Sequence, residues 1–334
     1  MSNEHPFAQY IRIIGKGPNL SRSLTREEAR DATAMILSGA IDPMQLGAFL
    51  CILRVRTEEP SEGAGFIDAV RDNLNLPTEL PPVDIDWPSY SGKKKHLPYF
   101  VLAALALAQS GIRIFMHGGE GHTPGRIYTS EALKALGIET CPDMTSAITH
   151  LEQHNFSYTL LNSISEPLQN ILDLKPVLGV RTPVNTFSRL INPLNAKSIM
   201  ISIFHPAYRD THRETAHLLE QSNMMVFKGE GGEIERRPGK PTLVQSLMNG
   251  EHVDEDWPEM DFMNDDPLEG NLDLSALPKI WNGEFESNYA TAAIEGTIAL
   301  ALRSLQKVDS PEEAITQAKI VWDSRNKSVI PGAS

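Results

Sequence analysis

Four prolines, Pro77, Pro81, Pro82 and Pro88, fall within one short stretch of this 334-residue chain, and prolines at that density interrupt both helix and ladder hydrogen bonding. They predict a connector and a domain boundary near residue 80. Before it the pattern is one of short, well-punctuated helices. Thr25 and Glu28 form a capping box, each side chain satisfying the other's free backbone donor, for a helix running to about Ser38 ahead of Gly39. Asp42 and Pro43 open a second, where the proline's missing N–H costs nothing, and Met44, Leu46, Phe49, Leu50, Ile52 and Leu53 supply its buried faces. A third begins after Ser61 and carries Phe66, Ile67 and Val70.

Past the boundary the pattern alternates. Helices are expected over Leu97–Ser110, Ser130–Leu136, Thr145–Gln153, 208–221, 287–306 and 311–323, and strands over Ile112–Met116, Phe156–Leu161, Ser198–Phe204 and Met224–Phe227. That order implies βαβ units and a central, largely parallel sheet. The fold class is therefore α/β: a small all-helical domain followed by a larger α/β domain.

Composition narrows the class further. With 41% apolar and 22% charged residues the chain is an ordinary globular protein, which excludes disorder over most of its length. Cys51 and Cys141 are isolated from each other, so no disulfide framework or metal knuckle can be built. The longest apolar stretch, Tyr99 to Ala108, is about half of the ~20 residues a membrane span needs and reads as a buried helix. Glu4, His5 and Pro6 stand where a signal peptide carries positive charge and an apolar run, so a cytoplasmic protein is expected. Ten carboxylates between Glu251 and Asp273, with no Lys or Arg among them, account for −10 of the net charge of −13. They read as a solvated acidic loop, or as an arm that competes with an anionic ligand for a basic groove.

Four local features carry chemistry. Ser91, Gly92, Lys93, Lys94, Lys95 and His96 run into the helix opened by Leu97 and Pro98, so backbone donors, a helix dipole and three ammonium groups converge, which suits an anion. Met116 to His122, with His117, Gly118 and Gly119, follows a strand where glycine permits close approach of a ligand at the sheet's carboxyl edge. Gly179 to Asn185, including Arg181 and Thr182, with Asn192 and Pro193, reads as an ordered polar loop. Lys228 to Glu235 places Glu230, Glu233 and Glu235 on a glycine-rich turn, compatible with Mg²⁺ or with simple solvation.

In this order and spacing the features resemble the anthranilate phosphoribosyltransferase family. The resemblance runs from about residue 10 to the carboxyl end and rests on Ser23 to Arg56, His117 and Gly118, Leu178 to Asn185, Ile191 to Pro193, and Lys228 to Glu235. It implies a helical domain over residues 1–80 completed by about 165–195, an α/β domain over 81–164 and 196–334, and homodimers joined through the helical domain. It also implies phosphoribosyl pyrophosphate bound with Mg²⁺ between the domains. The sequence departs from the family where that donor sits. Pro88, Ser89, Tyr90, Ser91, Gly92 and Lys93 replace the GTGGDG loop, and Pro98, Tyr99, Phe100 and Val101 replace NIST. Met116, His117, Gly118, Gly119 and Glu120 replace KHGNR, Ile234 and Glu235 replace the metal-binding Asp-Glu pair, and Lys175 replaces the arginine that meets anthranilate. The chain is more similar to the divergent YbiB-like paralogues, which keep the fold, lack demonstrated transferase activity and bind nucleic acid. Ser89, Tyr90, Gly92, Lys93 and Lys94 match that branch's loop.

The leading expectation is thus a dimeric, sequence-independent nucleic-acid-binding protein, with Lys93, Lys94, Lys95, Lys175, Arg181, Arg189 and Lys197 on phosphates and Tyr90 stacked on an unpaired base. No cofactor is expected on that reading. The alternative is a phosphoribosyl or other glycosyl transferase with Mg²⁺ on Glu230, Glu233 and Glu235. A third is a scaffold that binds a phosphorylated sugar or similar small anion without turning it over. No membrane partner is expected.

Overall fold

The computed structural model describes residues 4–121, 123–263 and 267–333, so His122, Asp265 and Asp266 lie outside it. Four helices come first: α1 Ala8–Gly15, α2 Arg26–Leu37, α3 Pro43–Arg56 and α4 Pro60–Asp72. The Thr25–Glu28 capping box read from the sequence forms, and Asp42, read only as the start of the next helix, forms a second box with Gln45. The alternating part follows as β1 Ile85–Ser89, α5 Tyr99–Gln109, β2 Ile114–Gly118, α6 Thr129–Ala135, α7 Met144–His154 and β3 Phe156–Leu160. Short helices α8 Leu161–Ile164, α9 Glu166–Leu172, α10 Lys175–Leu178 and α11 Val184–Phe187 return to the helical layer, where Leu168, Ile171 and Phe187 join a core with Leu50, Ile67 and Val70. The chain closes with β4 Ser198–Ser202, α12 Tyr208–Leu218, β5 Asn223–Phe227, β6 Thr242–Met248, β7 Glu251–Trp257, α13 Ala276–Asn282, α14 Asn288–Ser304 and α15 Pro311–Ser324.

The seven strands form one sheet in the order β3-β2-β1-β4-β5-β6-β7, parallel from β3 to β5 and antiparallel at β6 and β7. Side chains alternate across it with the strand period of two. Trp87, Met116, Met200 and Met225 face α5, α13, α14 and α15, while Phe115, Ile199, Ile201 and Val226 face the layer that holds α7 and α12. Ten of the eleven residues of α5 are buried, which explains why its sequence is apolar all round. The structure bears out the expected fold class. Among the described residues no helix is long and apolar enough to cross a membrane, and Cys51 and Cys141 are both free.

Three elements differ from the sequence reading. The proline-rich connector contains a strand: β1 pairs with β4 only through Ile85 and Asp86, so Pro88 falls past the two-sided part of its ladder. The acidic segment is not a loop at its start. Glu251–Trp257 is the outermost strand, tied down by ion pairs from Arg213 to Asp254 and from Arg303 to Glu255 (2.8 Å). Thr242–Met248, which the sequence left unassigned, is its antiparallel partner.

Candidate anion-binding cleft

In the strand order, chain progression runs from β1 toward β3 on one side and from β4 toward β5 on the other, so the order in which strands are added reverses between the parallel neighbours β1 and β4. Open α/β sheets bind ligands beyond the carboxyl ends of the strands at such a switch point. A cavity of about 360 Å³ lies there, with Ser91 just after β1, Ser202 at the end of β4, and the helical layer as its far wall. Arg54, Arg126, Arg181 and Arg189 line it, and among the described residues no carboxylate does.

The guanidinium groups are held mainly by neutral acceptors. Arg126 donates to the carbonyls of Ser91 (2.8 Å), Gly92 (3.1 Å) and Gly231 (3.3 Å). Arg189 donates to Ser91 Oγ (2.9 Å) and covers the Tyr90 ring, and burial holds its pKa below the ordinary arginine value. Arg54 donates to Tyr208 Oη (2.7 Å), and Glu58, 3.9 Å from Arg54, is outside the lining. His212 sets Nδ1 2.7 Å from the Tyr208 carbonyl and Nε2 3.2 Å from that of Thr186; burial pushes its pKa down to about 4, so near pH 7 the neutral ring donates to one of them only and adds no charge. Apart from the Arg54–Glu58 pair, the cleft arginines have no carboxylate within ion-pair distance among the described residues. At its rim Phe204 is 56% exposed, with Lys228 over its ring and His205 against its edge.

The lysine loop behaves differently from its sequence reading. Its donors do gather anions, but the anions belong to the chain. Glu233 accepts the backbone N–H of Ser91 and of Gly92, both at 2.6 Å, and Ser89 Oγ at 2.7 Å. Glu235 accepts the N–H of Phe100 at the start of α5 (2.8 Å) and pairs with Lys93 Nζ (2.5 Å), which also meets Glu230. Lys93 is fully buried; burial works against its charge, but the two carboxylates overcome this and raise its pKa. Glu235, desolvated and sharing one ammonium with a second carboxylate, is pushed up to about 7. Lys93 is therefore a structural counter-ion and not a surface phosphate contact. The backbone explains why: Lys93 and Ile127 exchange two hydrogen bonds (2.8 Å each) as a bridge of extended chain, so Lys93 points inward and Lys94 outward.

The remaining sequence-derived candidates are scattered. Arg181 and Arg189 reach the cleft with Ser91, Thr182 and Asn185. Lys94 is exposed but outside the lining, and Lys95 pairs with Glu269 (2.7 Å) while its carbonyl accepts the N–H of Gly270. The acidic segment thus touches the basic loop through residues 269 and 270. Lys175 lies on α10 outside the lining. Lys197 precedes β4, at the opposite end of the parallel strands, and pairs with Asp84 (2.8 Å). Tyr90 is buried with its hydroxyl on His117 Nδ1 (2.8 Å), so it offers no face to a base. His117 is fully buried, its other nitrogen 3.3 Å from Asp86, and Gly118 ends β2 where a Cβ would meet the Ser89 carbonyl at 2.0 Å.

Glu230, Glu233 and Glu235 come together, yet each spends its charge on Lys93 or on the loop donors. No group of three or more His, Cys, Asp or Glu among the described residues is arranged to hold a metal ion. This carboxylate set does not fit Mg²⁺, which needs near-octahedral oxygen coordination. Sequence reading missed Arg54, Arg126 and the Ser202 to His205 turn. The available signal was the position of the turn, at the carboxyl end of a parallel strand.

A model of the glycosyl transferase family helical bundle domain matches residues 8–74, and one of that family's a/b domain matches residues 100–324. The uncharacterized protein YbiB of Escherichia coli (strain K12) is 29% identical over 60% of this chain and 64% of its own. The anthranilate phosphoribosyltransferase of Methylorubrum extorquens (strain PA1) is 27% identical over 87% of this chain and 83% of its own. Among solved structures, the anthranilate phosphoribosyltransferase from Saccharomyces cerevisiae in complex with PRPP and Mg superposes with a TM-score of 0.78 at 17% identity, covering 96% of this chain and 94% of that one.

Proposed function

Given that the chain belongs to the glycosyl transferase family, in its anthranilate phosphoribosyltransferase-like part, we propose that it binds a phosphate-bearing polyanion, single-stranded nucleic acid, in the cleft between its helical and α/β layers and does not transfer a phosphoribosyl group. One observation supports this reading: the carboxylates of Glu233 and Glu235 occupy the loop and helix donors that a pyrophosphate would need, while four arginines beside them line the cavity and, among the described residues, only Arg54 has a carboxylate within ion-pair distance, Glu58 behind the lining. Phosphates would lie along Arg54, Arg126, Arg181 and Arg189. Phe204 and His205 at the rim supply aromatic faces for an unpaired base, in place of Tyr90.

Binding of this kind draws on counterion release and is sequence-tolerant. Pairing of two copies through the helical layer is part of the proposal. Met44, Val55 and Val177 there are 80%, 84% and 79% exposed, which supports a covered face.

The test is fluorescence anisotropy with a labelled single-stranded oligonucleotide and its duplex at about 50 and 200 mM salt. The expected result is binding that falls steeply with salt and weakens about tenfold or more in an Arg54→Ala, Arg181→Ala double variant. Absence of binding at the lower salt, together with product from anthranilate, phosphoribosyl pyrophosphate and Mg²⁺, would overturn the proposal in favour of a transferase. That reading keeps the support of the fold shared with the yeast enzyme in complex with PRPP and Mg.

A further inference from the structure

A second cavity, about 540 Å³ and sharing no lining residue with the cleft, opens where β7 ends and α14 and α15 begin. Its volume falls within the ~300–1,000 Å³ typical of small-molecule sites. Trp257, Met260, Phe262 and Ile315 give it apolar walls, and Glu259, Asp261, Glu295 and Glu312 stand against Arg236 and Lys319.

Arg236 donates one N–H to the Pro258 carbonyl and lies over the Trp257 ring, while its buried Nε and Nη1 have no hydrogen-bond partner among the described residues. Glu295 is the buried group of opposite charge. It is 9% exposed, and among the described residues its carboxyl has no hydrogen-bond or ion-pair partner. Lys319 and Asp323 act on it only through space, with opposite signs, and burial pushes its pKa up to about 7. A buried carboxylate without a partner is costly, and a cation brought to it removes that cost.

We propose that this cavity binds a small organic cation, an amine or guanidine on an aromatic or aliphatic body, with Glu295 as the anchor for the charge and Trp257, Met260 and Phe262 as the walls for the body. A hard metal ion is the wrong occupant, since it takes six or more oxygens and the walls here are ring and thioether. An anion would meet four carboxyl groups.

The probes are tryptamine and phenethylamine, titrated calorimetrically into the full chain at about pH 8, where Glu295 is ionised and both amines remain protonated. Tryptophol and indole-3-acetate are the neutral and anionic counterparts. The expected result is saturable binding of the amines at one site, with the counterparts at least about tenfold weaker. Glu295→Gln lowers amine affinity by about tenfold or more, and Thr291→Trp, which fills the cavity from α14, abolishes it; both variants keep a cooperative thermal transition. The proposal is overturned if no amine saturates up to about 10 mM, if tryptophol binds as well as tryptamine, or if neither substitution changes amine binding.

Discussion

The cleft and the cavity beside α14 carry opposite fields, and they are built in opposite ways. The cleft at the sheet's switch point gathers four arginines from α3, the 123–127 loop, the 179–183 loop and the short helical turn at Ser188–Leu190, and anchors Arg126 on carbonyls, Arg54 on a phenol and Arg189 on a serine hydroxyl. The cavity beside α14 gathers carboxyl groups on apolar walls and leaves Glu295 buried with no hydrogen-bond or ion-pair partner among the described residues. Carboxylate partners for the cleft arginines would have cancelled the charge offered to a ligand; carbonyl partners fix geometry and leave the charge. The chain's net charge of −13 therefore describes neither site.

The largest expected effect breaks the floor beside the cleft. Lys93→Met leaves Glu230 and Glu235 without their counter-charge and should cost about 3–5 kcal/mol in urea unfolding. Retention of full stability would mean that those carboxylates are hydrated. Next, charge reversal separates the cavities: Arg181→Glu should weaken oligonucleotide binding by more than about tenfold, whereas Glu312→Lys at the second cavity should leave it within about twofold. Equal effects from both would show that long-range field, and not the cleft, governs binding.

A smaller gain is expected from Glu233→Ala, which frees the Ser91 and Gly92 donors. Inorganic pyrophosphate should then bind about tenfold more tightly by calorimetry, and an unchanged affinity would mean the freed donors are closed off from the cavity. The smallest effect is on pH dependence. Glu295 has its pKa raised to about 7 by burial, so the folded state holds its proton more tightly than the unfolded chain does. Stability from this group is fully present below the ordinary carboxyl pKa and is lost as pH rises through about 7. The advantage of Glu295→Gln over the parent in thermal melts should accordingly grow between about pH 5 and pH 8, to the order of 1 kcal/mol after solvent screening. A difference that is flat with pH would place the carboxyl in water.

Local chemistry was well written in the chain where one residue's neighbours in sequence decide its state. Thr25 with Glu28 caps a helix that forms as read. The apolar run of α5 is buried as read. Strand β1 was hidden because Pro88 matters only through which side of the ladder it faces. β7 was hidden because a charged edge strand and a solvated loop share a composition. The lysine loop shows a third limit: three successive lysines look alike, and a backbone bridge to Ile127, 34 positions along, selects the one that turns inward. Glu233 and Glu235 were read as candidates to hold a cation from solution. They do act on cationic and N–H donors, but those donors come from a segment more than 130 residues away.

The acidic strand at the end of the sheet has a consequence for assembly. β7 alternates exposed and half-buried positions along Glu251, Asp254, Glu255 and Asp256, and it is the last strand in the order. An edge so charged repels a second copy of itself, and a strand from another chain would have to desolvate those carboxylates to pair there. Growth of the sheet by strand addition, the usual route from an open edge to fibrils, is opposed by sequence at this end.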